Sequence, residues 1–211
     1  MSRILVVSPH PDDEATGCGG AICRHVACGD TVRAIFLTSG EQGGHGLPLT
    51  ETAQLREREA TIAASILGLA CIDFWRQPDG ALRATAPIVA RLQKMILAWK
   101  PEIIYVTHDG EMHPDHRAAA RIVRRALTGQ GAPAERPAVR MFEVWTPMQR
   151  MDEIVDISAY IRDKIAAIRA YKSQCNVLRF DEAFMGLSRY RGEMHSWPGG
   201  EHAEIFAEMR L

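Results

Sequence analysis

Ile4-Leu5-Val6-Val7-Ser8-Pro9-His10-Pro11-Asp12-Asp13-Glu14, followed closely by Gly17-Cys18-Gly19-Gly20, is the stretch on which the fold turns. Its opening is a short run of β-branched and leucine side chains that ends at Pro, so it reads as a buried strand. Behind the Gly-rich turn, Ala21 to Ala27 reads as a helix. Outward from this first unit the alternation repeats. Thr31 to Thr38 carries strand residues, Glu51 to Leu67 is Ala-, Glu- and Arg-rich with helical spacing, and Ile72 to Trp75 is strand-like again. Pro87 to Trp99 predicts a helix with Pro in its first turn, Ile103 to Thr107 a buried strand, and Asp115 to Leu127 a helix with Ile122, Val123, Ala126 and Leu127 on one stripe.

Four strand-helix units in a row predict an α/β fold: a Rossmann-like, mostly parallel central sheet flanked by helices on both faces, with ligands at the carboxyl ends of the strands. Beyond Gly129 the pattern changes to a Gly/Pro/Ala loop, strands near Val139 to Trp145 and Glu153 to Val155, a helix from Ala159 to Tyr171 and an irregular tail that packs back on the sheet. No repeat, low-complexity block or second domain interrupts residues 1–211, a length suited to one domain.

Twenty-five basic and 26 acidic residues are spread along the chain, for a formal net charge of −1. Such a balance leaves no electrostatic footprint for nucleic acid or anionic lipid. No apolar run approaches the ~20 residues needed to span a bilayer, so the expectation is a cytoplasmic protein with no membrane span. Self-association into a homo-oligomer stays open. Cys18, Cys23, Cys28, Cys71 and Cys175 are odd in number and lack the close pairs of structural zinc sites, so they read as reduced, small apolar filler.

Two polar clusters fall where this architecture places ligands: His10-Pro11-Asp12-Asp13-Glu14 after the first strand and His113-Pro114-Asp115-His116 after the fourth. Either alone is explained by capping and strand-ending residues. Together they point to one cleft. Two imidazoles and one carboxylate, His10, Asp13 and His116, make a familiar catalytic metal shell that leaves positions open for water and substrate. A bound zinc ion brings the pKa of its water from about 15.7 toward about 7, which makes amide hydrolysis feasible near neutral pH. Asp12, beside a ligand without needing to be one, is the candidate general base. A protonated His113, oriented by Asp115, is the candidate donor to the oxygen that becomes negative. Glu14 reads as a supporting or helix-start carboxylate.

On these residues the chain resembles the LmbE-like, or PIG-L, N-deacetylases, which are similar in carrying His-Pro-Asp-Asp-Glu, a Gly-Cys-Gly-Gly-like stretch and a later His-Pro-Asp-His. Weaker echoes are Ser39-Gly40-Glu41, Arg56, Glu59, Pro78-Asp79-Gly80, Tyr171-Lys172-Ser173-Gln174 and Ala203-Glu204-Ile205-Phe206. The resemblance implies a Rossmann-like fold and a zinc-dependent N-deacetylase acting on a small N-acylated amino sugar of the N-acetylglucosamine type. It implies the same roles for His10, Asp13 and His116 as metal ligands, Asp12 as base and His113 as the group that steadies the intermediate. It also matches Arg56 and Asp79 to positions that contact substrate in some members. Ser8-Pro9 before the first motif and the Gly-rich loop from Gln42 to Thr50, either a substrate lid or an ordinary connection, depart from the family pattern.

Two rival readings share these residues. A non-haem iron oxygenase uses the same two-His-one-carboxylate set with Fe2+, but on an all-β fold. A nucleotide-binding module would use Gly17 to Gly20 at a helix start, although the upstream carboxylates oppose phosphate there.

Overall fold

In the computed structural model, which describes residues 1–195 and 199–211, the continuous apolar run at the N-terminus forms strand β1 (Arg3–Ser8). Ile4, Leu5, Val6 and Val7 are all fully buried, which is what an unbroken apolar strand covered on both faces requires. After it come helix α1 (Asp13–Ala27), β2 (Thr31–Thr38), a short 3-10 turn (Glu41–Gly43), α2 (Leu49–Leu67), β3 (Cys71–Gln77), α3 (Ala86–Trp99), β4 (Ile103–Thr107) and α4 (Pro114–Thr128). The chain then continues through β5 (Ala138–Phe142), β6 (Glu153–Asp156), α5 (Ile161–Ala170), the single turn α6 (Lys172–Cys175), α7 (Phe180–His195) and β7 (Ala203–Glu208).

The seven strands form one sheet in the order β3-β2-β1-β4-β5-β7-β6. The first five are parallel, and β7 runs antiparallel to both β5 and β6. The expected Rossmann-like, mostly parallel sheet is therefore present. Successive residues of β1 feed two cores: Ile4 and Val6 pack with α1, α2, α5 and α7, while Leu5 and Val7 pack with α3 and α4. Strand order reverses direction between β1 and β4, and that is where an open α/β sheet opens a crevice at the strands' carboxyl ends. An all-β architecture, as the oxygenase reading requires, is ruled out.

Local structure differs from expectation at two places. Helix α1 begins at Asp13, so Gly17 to Gly20 lie inside it, with a kink at Cys18 (φ −143°). The glycines are there for close approach. A Cβ at Gly17 would run into the Phe142 ring, and one at Gly20 would meet Ile157 Cβ at 2.6 Å. Packed in this way, the stretch presents no phosphate-binding turn, which removes the nucleotide reading. At the kink the amides of Gly20 and Ala21 donate to the buried Glu204 carboxylate at 2.9 and 2.8 Å, and Lys164 Nζ supplies the countercharge at 2.7 Å. Because the added Cβ would overlap the Phe142 ring so deeply, Gly17→Ala is expected to lose about 2–3 kcal/mol to overpacking against about 1 kcal/mol of helix propensity gained. The expected net fall in Tm is roughly 2–8 °C by thermal melting, and an unchanged Tm would contradict the close-approach argument.

The tail is the second difference. It is not irregular but forms α7 and β7. The buried face of α7 is Phe184, Ser188, Arg191 and Gly192, so its helical period is carried largely by polar and small residues and is invisible to a hydrophobicity reading. Arg191 is tolerated inside because Glu143 takes its guanidinium through two hydrogen bonds of 2.9 and 2.7 Å.

Candidate active site

His10 leaves the end of β1, and His113 to His116 open α4 just after β4, so the strand-order reversal brings the two motifs together. His10 Nδ1 lies 3.2 Å from His116 Nε2 and 3.2 Å from Asp13 Oδ2, and His116 Nε2 lies 3.3 Å from Asp13 Oδ1. Metal bonds of about 2.0–2.1 Å at tetrahedral angles place neighbouring donor atoms about 3.3–3.4 Å apart, so these three fit the faces of one coordination sphere. The surrounding charge calls for a cation as well. Asp12, Asp13, Asp79, Glu111 and Asp115 are all buried here, and Arg56 is the permanent cation among them. Uncompensated buried charge is expensive, and a divalent ion relieves it.

Two other groupings lie close by: His10 with His113 and His116, and His10 with Asp79 and Asp115. The two nitrogens of His10 separate them. Nδ1 faces Asp13 and His116, whereas Nε2 faces Asp79 Oδ1 at 3.0 Å and Asp115 Oδ2 at 3.3 Å. An Nε2–H donated to these carboxylates fixes the ring and leaves Nδ1 as a lone-pair donor, the usual carboxylate–imidazole–metal arrangement. Burial opposes protonation of His10, yet hydrogen bonds to Asp115, Asp13 and Asp79 raise its pKa well above the ordinary value. Asp13 is held down to about 2: burial works against ionisation, but the imidazoles of His116 and His10 outweigh it.

Asp12 caps α1 with φ 111°, a left-handed conformation that is costly for a residue with a Cβ. Its neighbours hold it there. Its main-chain N–H donates to Glu14 Oε2 at 3.1 Å, and its carbonyl accepts from Thr16 N and Oγ1, each at 2.9 Å. Glu14 is in turn fully buried and accepts from the Tyr171 hydroxyl; burial raises its pKa to about 8. Burial also raises Asp12 to about 7, against the pull of Arg56, whose Nη2 donates to Asp12 Oδ2 at 2.7 Å.

Arg56 and Asp79, expected at the substrate, both line a cavity of about 290 Å³ in front of the donors. Their side chains are engaged by the protein: Arg56 with Asp12 and the carbonyls of Pro11 and Gly40, Asp79 with His10 and the amide of Gln42. Asp115 also differs from expectation. Its carboxylate accepts from Gly80 N and Leu82 N at 2.7 and 3.0 Å and approaches His10, while its main-chain N–H, not its carboxylate, donates to His113 Nδ1 at 3.2 Å. That bond makes Nδ1 the acceptor and leaves Nε2–H as the donor of a neutral ring. Burial, together with His10 and His116, lowers the pKa of His113, which favours the neutral form over the protonated one expected.

Of the Gln42 to Thr50 loop, the first part is tied down, with Gln42 N on Asp79 and Gly43 O accepting from Gln174 Nε2 at 3.0 Å. Glu111 is a site residue that the sequence pattern does not single out. Its buried carboxylate accepts from Val144 N, Trp145 N and Thr146 N and lies 3.8 Å from His116 Nδ1. Its place just before His-Pro-Asp-His is the one signal that could have found it. Trp145, Leu178 and Phe180, which also line the cavity, carry none.

Residues 5–127, more than half the chain, match the family described as PIG-L: GlcNAc-PI de-N-acetylase. The chain belongs to this PIG-L family. Among similar proteins, a 1D-myo-inositol 2-acetamido-2-deoxy-alpha-D-glucopyranoside deacetylase of Saccharopolyspora erythraea is 28% identical over 82% of this chain and 77% of its own. A 4-oxalmesaconate hydratase of Pseudomonas putida is 30% identical over 81% of this chain and 73% of its own. The conserved protein TT1542 of Thermus thermophilus superposes with a TM-score of 0.85 at 31% identity, covering 100% of this chain and 95% of that one. This chain is thus similar to proteins named for two different reactions.

Proposed function

We propose that this PIG-L protein is a metal-dependent N-deacetylase that hydrolyses the amide of an N-acetylglucosamine-type sugar or conjugate, with His10, Asp13 and His116 as ligands of a zinc ion. The observation that carries the reading is the convergence of His10 Nδ1, Asp13 and His116 Nε2 within 3.3 Å of one another, beside a buried carboxylate that is not part of the set. A divalent ion held by His10, Asp13 and His116 would supply Lewis-acid polarisation of the amide carbonyl and would acidify a water molecule.

The remaining work falls to the chain. Asp12 takes a proton from the attacking water as its oxygen bonds to the amide carbon, and later passes that proton to the departing nitrogen as the C–N bond breaks. Carboxylate and free amine are the products. His113 Nε2–H donates to the oxygen on which negative charge develops, and a neutral imidazole suffices for that. Asp79 and Asp115 hold His10, and Arg56 holds Asp12, so all three serve as positioning residues.

Metal-loaded protein is expected to release amine from N-acetylglucosamine conjugates, and chelated protein to release none. The hydratase relative motivates a second reading, hydration of an acidic substrate. Apart from the proposed ion, the described cavity lining offers an acidic substrate no free arginine or lysine, because Arg56 is taken by Asp12, and this favours the amide reading. Turnover of 4-oxalmesaconate with no amine released from any sugar would reverse this preference.

Removing the guanidinium should also shift the pH profile. The charge of Arg56 lowers the Asp12 pKa, so in Arg56→Met the carboxylate ionises at higher pH and the acid limb of kcat/KM moves up. A limb that stays in place or moves to lower pH would count against Asp12 as the base.

A further inference from the structure

The cavity in front of the donor atoms includes an apolar wall that the proposed chemistry does not use. Trp145, in the loop after β5, and Phe180, at the start of α7, meet edge to face with ring centroids 5.7 Å apart, and Leu178 joins them in the lining. Trp145 is 44% exposed and Leu178 46%, so large apolar area is left open to a ligand. The wall is also indexed to the metal donors. Glu111 accepts the amides of Val144, Trp145 and Thr146 and sits beside His116, so the backbone that carries the indole is set by the same carboxylate that backs the imidazole.

Charge narrows what such a wall can take. Asp12, Asp13 and Asp79 line the same space, and the one arginine or lysine among the described lining residues, Arg56, has its guanidinium on Asp12 and on main-chain carbonyls. Away from the metal donors, an anionic group on the substrate would find no free arginine or lysine among the described lining residues and would face the Asp79 carboxylate; a flat apolar group would cover the indole and the Leu178 side chain. Resting on the N-deacetylase reading, we infer that the group attached to the amino sugar is uncharged and apolar or aromatic, seated on Trp145, Leu178 and Phe180, and is not a carboxylic acid or a phosphate.

The test compares kcat/KM of metal-loaded protein for N-acetylglucosamine, its phenyl β-glycoside and its 1-phosphate. The phenyl glycoside is expected to exceed the free sugar by about tenfold or more, and the 1-phosphate to fall below it. Trp145→Ala should bring the phenyl-to-free ratio to within about twofold, and Leu178→Asp should lower it too, each with its metal content checked. Calorimetry with glucosamine and its phenyl glycoside reads the same preference without turnover. If no sugar is hydrolysed while phenyl glucosaminide still binds tighter and loses that advantage in Trp145→Ala, the deacetylase reading fails and the apolar subsite stands. Equal dissociation constants for the two amines, a ratio indifferent to Trp145→Ala, or a preference for the 1-phosphate overturns the inference.

Discussion

Asp12→Asn is expected to lower kcat by about a hundred- to ten-thousand-fold, the usual contribution of a positioned acid–base group, while the protein keeps its metal. The substitution separates the two functions cleanly. Asparagine is the residue best suited after glycine to the left-handed backbone at φ 111°, and its side-chain oxygen can still accept from Arg56, so the local structure survives. What it cannot do is accept a proton from water. Because Asp12 lies outside the set formed by His10, Asp13 and His116, metal content measured by elemental analysis should match that of the parent. Parental turnover by the Asn variant would show that the proton goes elsewhere.

His116→Ala should have the opposite signature: metal and activity lost together. The imidazole is fully buried between Asp13 and Glu111, so its removal takes away one of the three converging donors and leaves a gap that alanine cannot fill. Binding to the folded state alone stabilises it by about 2.7 kcal/mol at one hundred times the dissociation constant. Zinc should therefore raise the Tm of the parent and leave that of His116→Ala nearly unmoved. A variant that retains one equivalent of metal after dialysis would remove His116 from the ligand set.

The parts of the fold that are legible in the sequence are those whose pattern is local. β1, β2, β3 and β4 and the helices between them alternate apolar runs with helical stripes, and each can be read within about fifteen residues. The exceptions have physical causes. Gly17 and Gly20 read as a turn because glycine breaks helices, but Phe142 and Ile157, far away in sequence, demand bare backbone inside a helix. α7 hides its period behind Ser188 and Arg191, buried residues whose cost is met by partners such as Glu143. Around the candidate site, residue types announce the chemistry but not who touches whom. Asp115 and Asp79 share His10, and Arg56 holds Asp12, although Asp115 reads in the sequence as the partner of His113 and the family resemblance matches Arg56 and Asp79 to substrate contacts.

By itself the sequence determined the α/β alternation and the two motifs at strand ends, because hydrophobic period and donor chemistry are properties of neighbouring residues. Only the tertiary structure decided that β4 lies beside β1, that β7 slots between β5 and β6, which nitrogen of His10 meets which carboxylate, and that Trp145 and Phe180 share a wall. Each of these is a pairing of segments distant along the chain. It is chosen by the packing free energy of the whole molecule, to which no single stretch of residues holds the key.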